Sequence, residues 1–387
     1  MGGISRRGLG VVVLALLMLA PASAAGAVVA GANGGAATVP LEPVPIAAPG
    51  LIVTHGGDVA DPFLMKVGSS YLLFSSQFNF YEEHIPLRVS SSLTDWNTPA
   101  IDAMPTLPVW ANDGFIWGPD VRRVGSHYVL WFSAPLRSSG NTLTKCIGVA
   151  VSRSPYGPYQ PGTQPLICQL NHLGSIDPRS FVDQQGRLWL TWKSDDNADV
   201  NGTTHSTIWV QRVSRNGLGL VGSALPLITA DQPWEGRIVE APDMVYESGH
   251  YWLFYSGNWF NQAAYAIGVA ECAGPTGPCV KPLDQPWLAS NEQGFGPGEE
   301  SVFTDAQGSW LLYSPFAVNY ETRTARPVAI LRLAFDQFGP YAMPPQAPLV
   351  NPPAPRHRTQ VIAPVTPGLG PIPDAPTLRI GGLQTNG

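Results

Sequence analysis

Charge is scarce in this sequence. Asp, Glu, Lys and Arg make up 13% of its 387 residues, about half the usual share of roughly 25%, while hydrophobic residues reach 44%. That ratio excludes a disordered chain, which stays unfolded through high charge and low hydrophobicity. Positive charge is not in excess either. The formal net charge is −6, so nucleic acid and anionic membranes are not expected as partners, because both select basic patches. Long stretches of 3.6-residue periodicity are missing, which argues against a helical bundle. Cysteine is limited to four residues without a CxxC pair, a poor basis for a zinc site. Beyond the first 24 residues nothing is long and apolar enough to span a membrane.

Aromatic and turn-forming residues are plentiful: 12 Trp, 12 Tyr, 14 Phe, 41 Gly and 39 Pro. They suit a compact all-β protein with many turns and with surfaces on which sugars stack. The chain start reads differently. Arg6 and Arg7 precede an apolar run from Gly8 to Ala20, and Ala22-Ser23-Ala24 is a small-residue cleavage site. Residues 1–24 are expected to be a signal peptide, of the general or the twin-arginine type, and residues 25–50 a linker rich in Ala, Gly, Val and Pro. Secretion permits disulfides. Of the three pairings open to four cysteines, Cys272–Cys279 around the turn-rich CAGPTGPC segment and Cys146–Cys168 are favoured.

An internal repeat carries the fold assignment. Five segments read DPFLMKVGSSYLLFSS, PDVRRVGSHYVLWFSA, DPRSFVDQQGRLWLTWKS, PDMVYESGHYWLFYSG and ESVFTDAQGSWLLYSP. Each is an apolar strand, a polar turn with glycine, then an aromatic-rich strand. The turn glycines Gly68, Gly125, Gly186, Gly249 and Gly308 are spaced by 57, 61, 63 and 59 residues. A further strand recurs in every unit, for example CIGVAVS at 146–152 and AIGVAE at 266–271. About 60 residues make one four-stranded antiparallel sheet with loops, and radial repetition of such sheets is a β-propeller. The prediction is a five-bladed β-propeller over residues 51–341, followed by a proline-rich disordered tail over 342–387. A long β-sandwich accounts for recurring turns but not for five units of nearly equal length.

In a propeller the innermost strands line the axis, and a pocket forms at one mouth. Proline stands near the start of that strand at Pro62, Pro119, Pro178 and Pro242. A residue before proline is expected to be extended, which fixes the direction of its side chain. Asp61 and Asp177 hold that place in units one and three, while unit four has Ala241 preceded by Glu240. A lone Asp-Pro is more often a turn, and Asp120 and Asp243 are assigned to turn or strand-cap structure. Three acids in apolar company at matching places point instead to a proton donor and acceptor held apart in pKa by burial and mutual repulsion. That is the requirement of glycoside hydrolysis.

The same residues carry a resemblance to a family. FIWGPDV resembles the Trp-Ala-Pro-Asp motif of glycoside hydrolase family 43, and VADPF, GSIDPRSFVDQQG and VEAPDMVYESGHYWLFYSGN resemble its first, third and fourth blade signatures. WKSDDN and IGVAECAGPTGPC look like its arabinofuranosidase and xylosidase members. The resemblance implies an inverting hydrolase with Asp61 as general base, Glu240 as general acid and Asp177 tuning the pKa of that acid. Arg326 falls where the family often places an arginine near the pocket, with an ordinary surface arginine as the alternative. Trp117, Trp259 and Phe80 suit a sugar platform, or else blade packing. No cofactor is required. Where the family often carries a histidine in its fifth blade, this chain reads GFGPGEESVF, so Glu299 is a weak candidate ligand for a Ca²⁺ ion that is not expected to be essential.

The expected substrate is an α-L-arabinofuranosyl or β-D-xylosyl linkage in a cell-wall polysaccharide or oligosaccharide, cleaved by a monomer. Endo-1,5-α-arabinanase and galactofuranosidase are alternatives within the class. A carbohydrate-binding propeller without catalysis is the alternative outside it.

Overall fold

A computed structural model of the chain describes residues 50–52, 59–77, 82–93, 95–96, 98–199, 201–290, 295–315 and 326–343. The signal peptide, most of the linker and nearly all of the proline-rich tail lie outside the described residues. Five antiparallel sheets follow one another along the chain. Four of them meander simply from inner to outer strand. Blade two shows the pattern: Trp117–Val124, His127–Pro135, Lys145–Ser152 and Gln160–Pro161. Hairpin turns at Gly68, Gly125 and Gly186 have φ of 59°, 61° and 73°, a region in which glycine avoids the clash of a Cβ. The chain is a five-bladed β-propeller, as the repeat predicts.

The fifth blade closes the ring with chain from both ends. Its third strand, Val328–Asp336, pairs with Gly339–Ala342 over one half and with Gly50–Ile52 over the other. Side chains fasten the same seam, where Lys66 Nζ and Tyr71 Oη of blade one lie 2.8 and 3.0 Å from Asp305 Oδ2 of blade five. Sequence reading places Leu51 at the start of blade one, and the sheet order moves it to blade five.

Each neighbouring pair of blades encloses its own apolar cluster. Leu72, Phe74 and Leu87 meet Val121, Leu130 and Phe132 between blades one and two, and Phe254 and Ile267 meet Leu311 and Leu331 between blades four and five. Alternation along each strand sends one face of the sheet to each neighbour, so both faces are buried. This is the reason for 44% hydrophobic residues in a chain whose described helices are single short turns. The cysteines join Cys146 to Cys168 and Cys272 to Cys279, each pair tying the third strand of its blade to a segment that follows it in the chain.

One local expectation is corrected. Asp61, Gly118, Asp177, Ala241 and Glu299 occupy the same place in blades one to five, and all five have left-handed φ, of 54°, 56°, 55°, 49° and 54°. The pre-proline residues are therefore not extended. In blades two, three and four the register shifts at this point, as at a β-bulge, which re-aims a side chain. At Gly118, Asp177, Ala241 and Glu299 the backbone N–H donates to a side chain of the preceding blade, which holds the conformation against its local cost. Asp120 and Asp243 also differ from a strand cap: they accept from Ser180 N at 3.1 Å and Val302 N at 2.7 Å, each bridging to the next blade.

Burial sets a pH dependence here. Asp243 is pushed up to about 6, chiefly by burial. An unfolded aspartate ionises near 3.8, so on raising the pH the unfolded state gives up this proton first. Stability from this group is complete below about pH 4 and falls as pH rises to about 6, by about 3 kcal/mol. Asp243→Asn, which keeps an acceptor for Val302 N, is expected to flatten that fall. Denaturant unfolding at pH 4.5 and pH 7 on both proteins measures it.

Candidate active site

The left-handed residues stand at the start of the inner strands, so their side chains gather at one mouth of the axis. Farther along the axis lies a separate cavity of about 210 Å³, lined by Asp120, Arg122, Arg179 and Asp243. At the mouth Asp61, Asp177, Glu240 and Glu299 are all buried. Carboxyl oxygens of Asp177, Glu240 and Glu299 lie within 4.8 Å of one another. Blade two contributes no acid for a steric reason. A Cβ on Gly118 would sit 3.1 Å from the Asp177 Cα and 3.4 Å from its Oδ1, so the missing side chain is what admits Asp177.

The four acids have different surroundings. Asp61 accepts a short hydrogen bond from Ser76 Oγ, and the Arg326 guanidinium lies 3.8 Å from its other oxygen. Asp177 accepts from Ala241 N at 3.2 Å. Burial and the nearby Glu240 push Asp177 up to about 8, so this carboxyl holds its proton near neutral pH. Glu240 sits between two donors: Lys193 Nζ is 2.9 Å from Oε2 and Tyr265 Oη is 2.8 Å from Oε1. Burial also holds Glu299 well above the usual carboxyl range, reinforced by Asp61 and Asp177.

Tyr265 Oη also lies 2.8 Å from Glu299 Oε1. A phenol has one hydrogen. It donates to one carboxyl and accepts from the other, so one of Glu240 and Glu299 carries a proton when both bonds form. Gly298 makes room for this arrangement, since a Cβ there would fall 2.0 Å from the Tyr265 ring.

Among the other expected residues, Arg326 is buried at the site rather than on the surface. Trp117 holds in blade two the place of Glu240 in blade four, but Lys145 Nζ lies 3.5 Å from its ring centre and occupies one face. Trp259 is 39% exposed on the rim. Its neighbour Phe260 approaches the Arg326 guanidinium at 5.8 Å. Phe80 lies outside the described residues. Lys193, Tyr265, Phe260 and Ser76 escaped the sequence reading. Only Lys193 left a signal there, as the one charged residue in the column of serines that ends the second strand of each blade.

A pocket floored by carboxylates of unlike surroundings is the apparatus of O-glycoside hydrolysis, and a propeller that carries it is a glycosidase. Residues 52–339 match the model of glycosyl hydrolases family 43, and the chain belongs to that family. It is 26% identical over 267 residues to extracellular endo-alpha-(1->5)-L-arabinanase 1 of Bacillus subtilis strain 168, covering 62% of this chain and 76% of that protein. It is 22% identical over 318 residues to extracellular exo-alpha-(1->5)-L-arabinofuranosidase ArbA of Cellvibrio japonicus strain Ueda107, covering 73% and 85%. Among solved structures, a thermostable family-43 glycoside hydrolase superposes with a TM-score of 0.66 at 25% identity, covering 79% of this chain and 98% of that one.

Proposed function

We propose that the protein hydrolyses α-L-arabinofuranosyl or β-D-xylosyl linkages with inversion, with Asp61 as general base, Glu240 as general acid and Asp177 tuning that acid. The observation that carries this reading is the convergence of Asp61, Asp177 and Glu240 at one buried mouth, each with different partners. Asp61, polarised by Ser76 and Arg326, takes a proton from the attacking water. Glu240 gives a proton to the leaving oxygen as the glycosidic bond breaks. Asp177, itself protonated near neutral pH and buried beside Glu240, governs how readily that acid parts with its proton. The relatives named as endo- and exo-acting enzymes on α-(1->5)-L-arabinan linkages make arabinan the first polymer to test, and keep endo-arabinanase in view.

Catalysis proceeds without a metal in this reading. Ca²⁺ typically takes about six to eight oxygen ligands, whereas Glu240 already has a lysine and a phenol on its two oxygens, and Arg326 stands beside Asp61. Export follows from the leader-like first 24 residues, the paired cysteines and relatives named as extracellular. Intact protein mass from the culture medium of a producing strain tests it, a chain beginning at Ala25 being the result expected.

Hydrolysis of p-nitrophenyl α-L-arabinofuranoside, β-D-xyloside and β-D-galactofuranoside, and of 1,5-arabinan, identifies the sugar. Proton NMR of the first product during turnover gives the stereochemistry. Inversion is expected, and a retained anomeric configuration would remove Asp61 from its role. Trp259 on the rim supplies a ring face for sugar stacking. Trp259→Ala is expected to raise KM for arabinan about three- to tenfold, or about 0.7–1.4 kcal/mol, with kcat nearly unchanged. Initial rates on polymer and aryl glycoside check it.

A further inference from the structure

One position near the end of the second strand meets the next blade in every repeat. Strand register identifies it as Ser76, Ser133, Lys193, Ser256 and Ser314. The residue two places earlier pairs with the residue two places after the left-handed one, for example Trp131 with Asp120 and Thr191 with Arg179. In four blades the serine hydroxyl stitches one blade to the next. Ser76, Ser133 and Ser256 accept from Gly118 N, Asp177 N and Glu299 N at 2.9, 3.1 and 2.9 Å. Ser314 donates to Val59 O at 2.9 Å.

Blade three departs from this rule. The matching amide, Ala241 N, is taken by Asp177 Oδ2, and Lys193 extends past it to Glu240 Oε2 at 2.9 Å and Asp195 Oδ1 at 3.1 Å. A hydroxyl suffices for stitching, as four blades demonstrate. A lysine whose side chain is 4% exposed carries a desolvation cost of several kcal/mol before its partners offset it. Its presence in the one blade that faces Glu240 therefore calls for a role beyond stitching.

We propose that Lys193 is a positioning residue for the proton donor: it fixes the orientation of Glu240 and supplies the positive charge that holds the carboxylate left after proton transfer. This rests on the reading of Glu240 as general acid. The step balances simply. The Glu240 proton goes to the leaving oxygen as the C–O bond breaks, a water proton goes to Asp61 as the new C–O bond forms, and solvent exchange restores both carboxyls. The carboxylate formed is buried against Asp177 from blade three and Glu299 from blade five, with Asp61 opposite from blade one. Tyr265 of blade four donates only a neutral hydrogen bond. Among the described residues Lys193 is the cation in contact with it, while Lys145 in blade two and Arg326 before blade five's third strand stand beside Trp117 and Asp61.

Lys193→Ser tests this directly, because it restores the residue that four other blades tolerate at this place. Its Tm is expected to fall, because Glu240 and Asp195 lose a buried partner, so rates are compared well below the transition of either protein. Its kcat on arabino-oligosaccharides is expected to fall roughly 10²-fold, with KM little changed and a much smaller loss on p-nitrophenyl glycosides, whose leaving group needs no proton. The alkaline limb of kcat/KM should move to higher pH, since loss of the cation favours the protonated acid. Lys193→Arg should recover part of kcat and return the limb toward its original place. Parent-like kcat and pH profile in Lys193→Ser would overturn the proposal, as would an equal loss on both substrate types with an unmoved limb. Glu240→Gln run in parallel separates the two readings. If it retains turnover on oligosaccharides, the assignment of the acid fails and this proposal with it. If it is inactive while Lys193→Ser is parent-like, only the role of Lys193 fails.

Discussion

Glu240→Gln is expected to lower kcat on arabino-oligosaccharides by about 10²–10⁴-fold, the usual worth of a general acid, and to lower it far less on aryl glycosides. The substitution keeps the shape of the side chain. Its amide oxygen can face Lys193 Nζ, now 2.9 Å from Oε2, and its NH₂ can face Tyr265 Oη, now 2.8 Å from Oε1. Tyr265 then accepts from the new amide and donates to Glu299, so both present contacts of the side chain are kept and the fold is preserved. What is lost is the proton. A sugar alkoxide is a poor leaving group without it, whereas nitrophenolate departs unaided. The diagnostic is the ratio of the two losses, measured as kcat on paired substrates sharing the same glycone. Equal losses on both would mean that Glu240 does not donate the proton.

Asp61→Asn is expected to cost a comparable 10²–10⁴-fold, again about the worth of one general base, but with no dependence on the leaving group. Asp61 is held by Ser76 Oγ and faces Arg326 at 3.8 Å, and an asparagine can fill that place without accepting a proton from water. Every substrate needs the water activated, so every substrate suffers. Azide is an anionic nucleophile and needs no base. It should restore turnover in Asp61→Asn and yield a glycosyl azide of inverted configuration, visible by NMR. Azide should do nothing for Glu240→Gln on oligosaccharides. A leaving-group dependence in Asp61→Asn, paired with a flat loss in Glu240→Gln, would exchange the two roles.

The blade repeat and the acids were legible because both follow short-range rules. Strand alternation, glycine turns and a fixed period appear directly in the residue order, and they located Asp61, Asp177 and Glu240. The backbone at those acids was misread for the converse reason. The residue before proline favours an extended conformation when only its neighbours in sequence act on it, yet Asp61 and Asp177 have φ of 54° and 55°. At Asp177 hydrogen bonds to adjacent blades overrule that preference: its N–H donates to Ser133 Oγ and its carboxylate accepts from Ala241 N, partners some 44 and 64 residues away.

Sequence alone determined the number of blades, the family likeness and the acids, since each is written in local pattern. Tertiary structure decided which groups surround those acids. Ring closure brings Lys193 of blade three, Tyr265 of blade four and Glu299 of blade five onto or beside the carboxyl of Glu240. It also recruits Gly50–Ile52 into the fifth sheet and sets Arg326 beside Asp61. Electrostatic surroundings depend on distance in space, and in a closed ring that distance is set by blade packing rather than by separation along the chain.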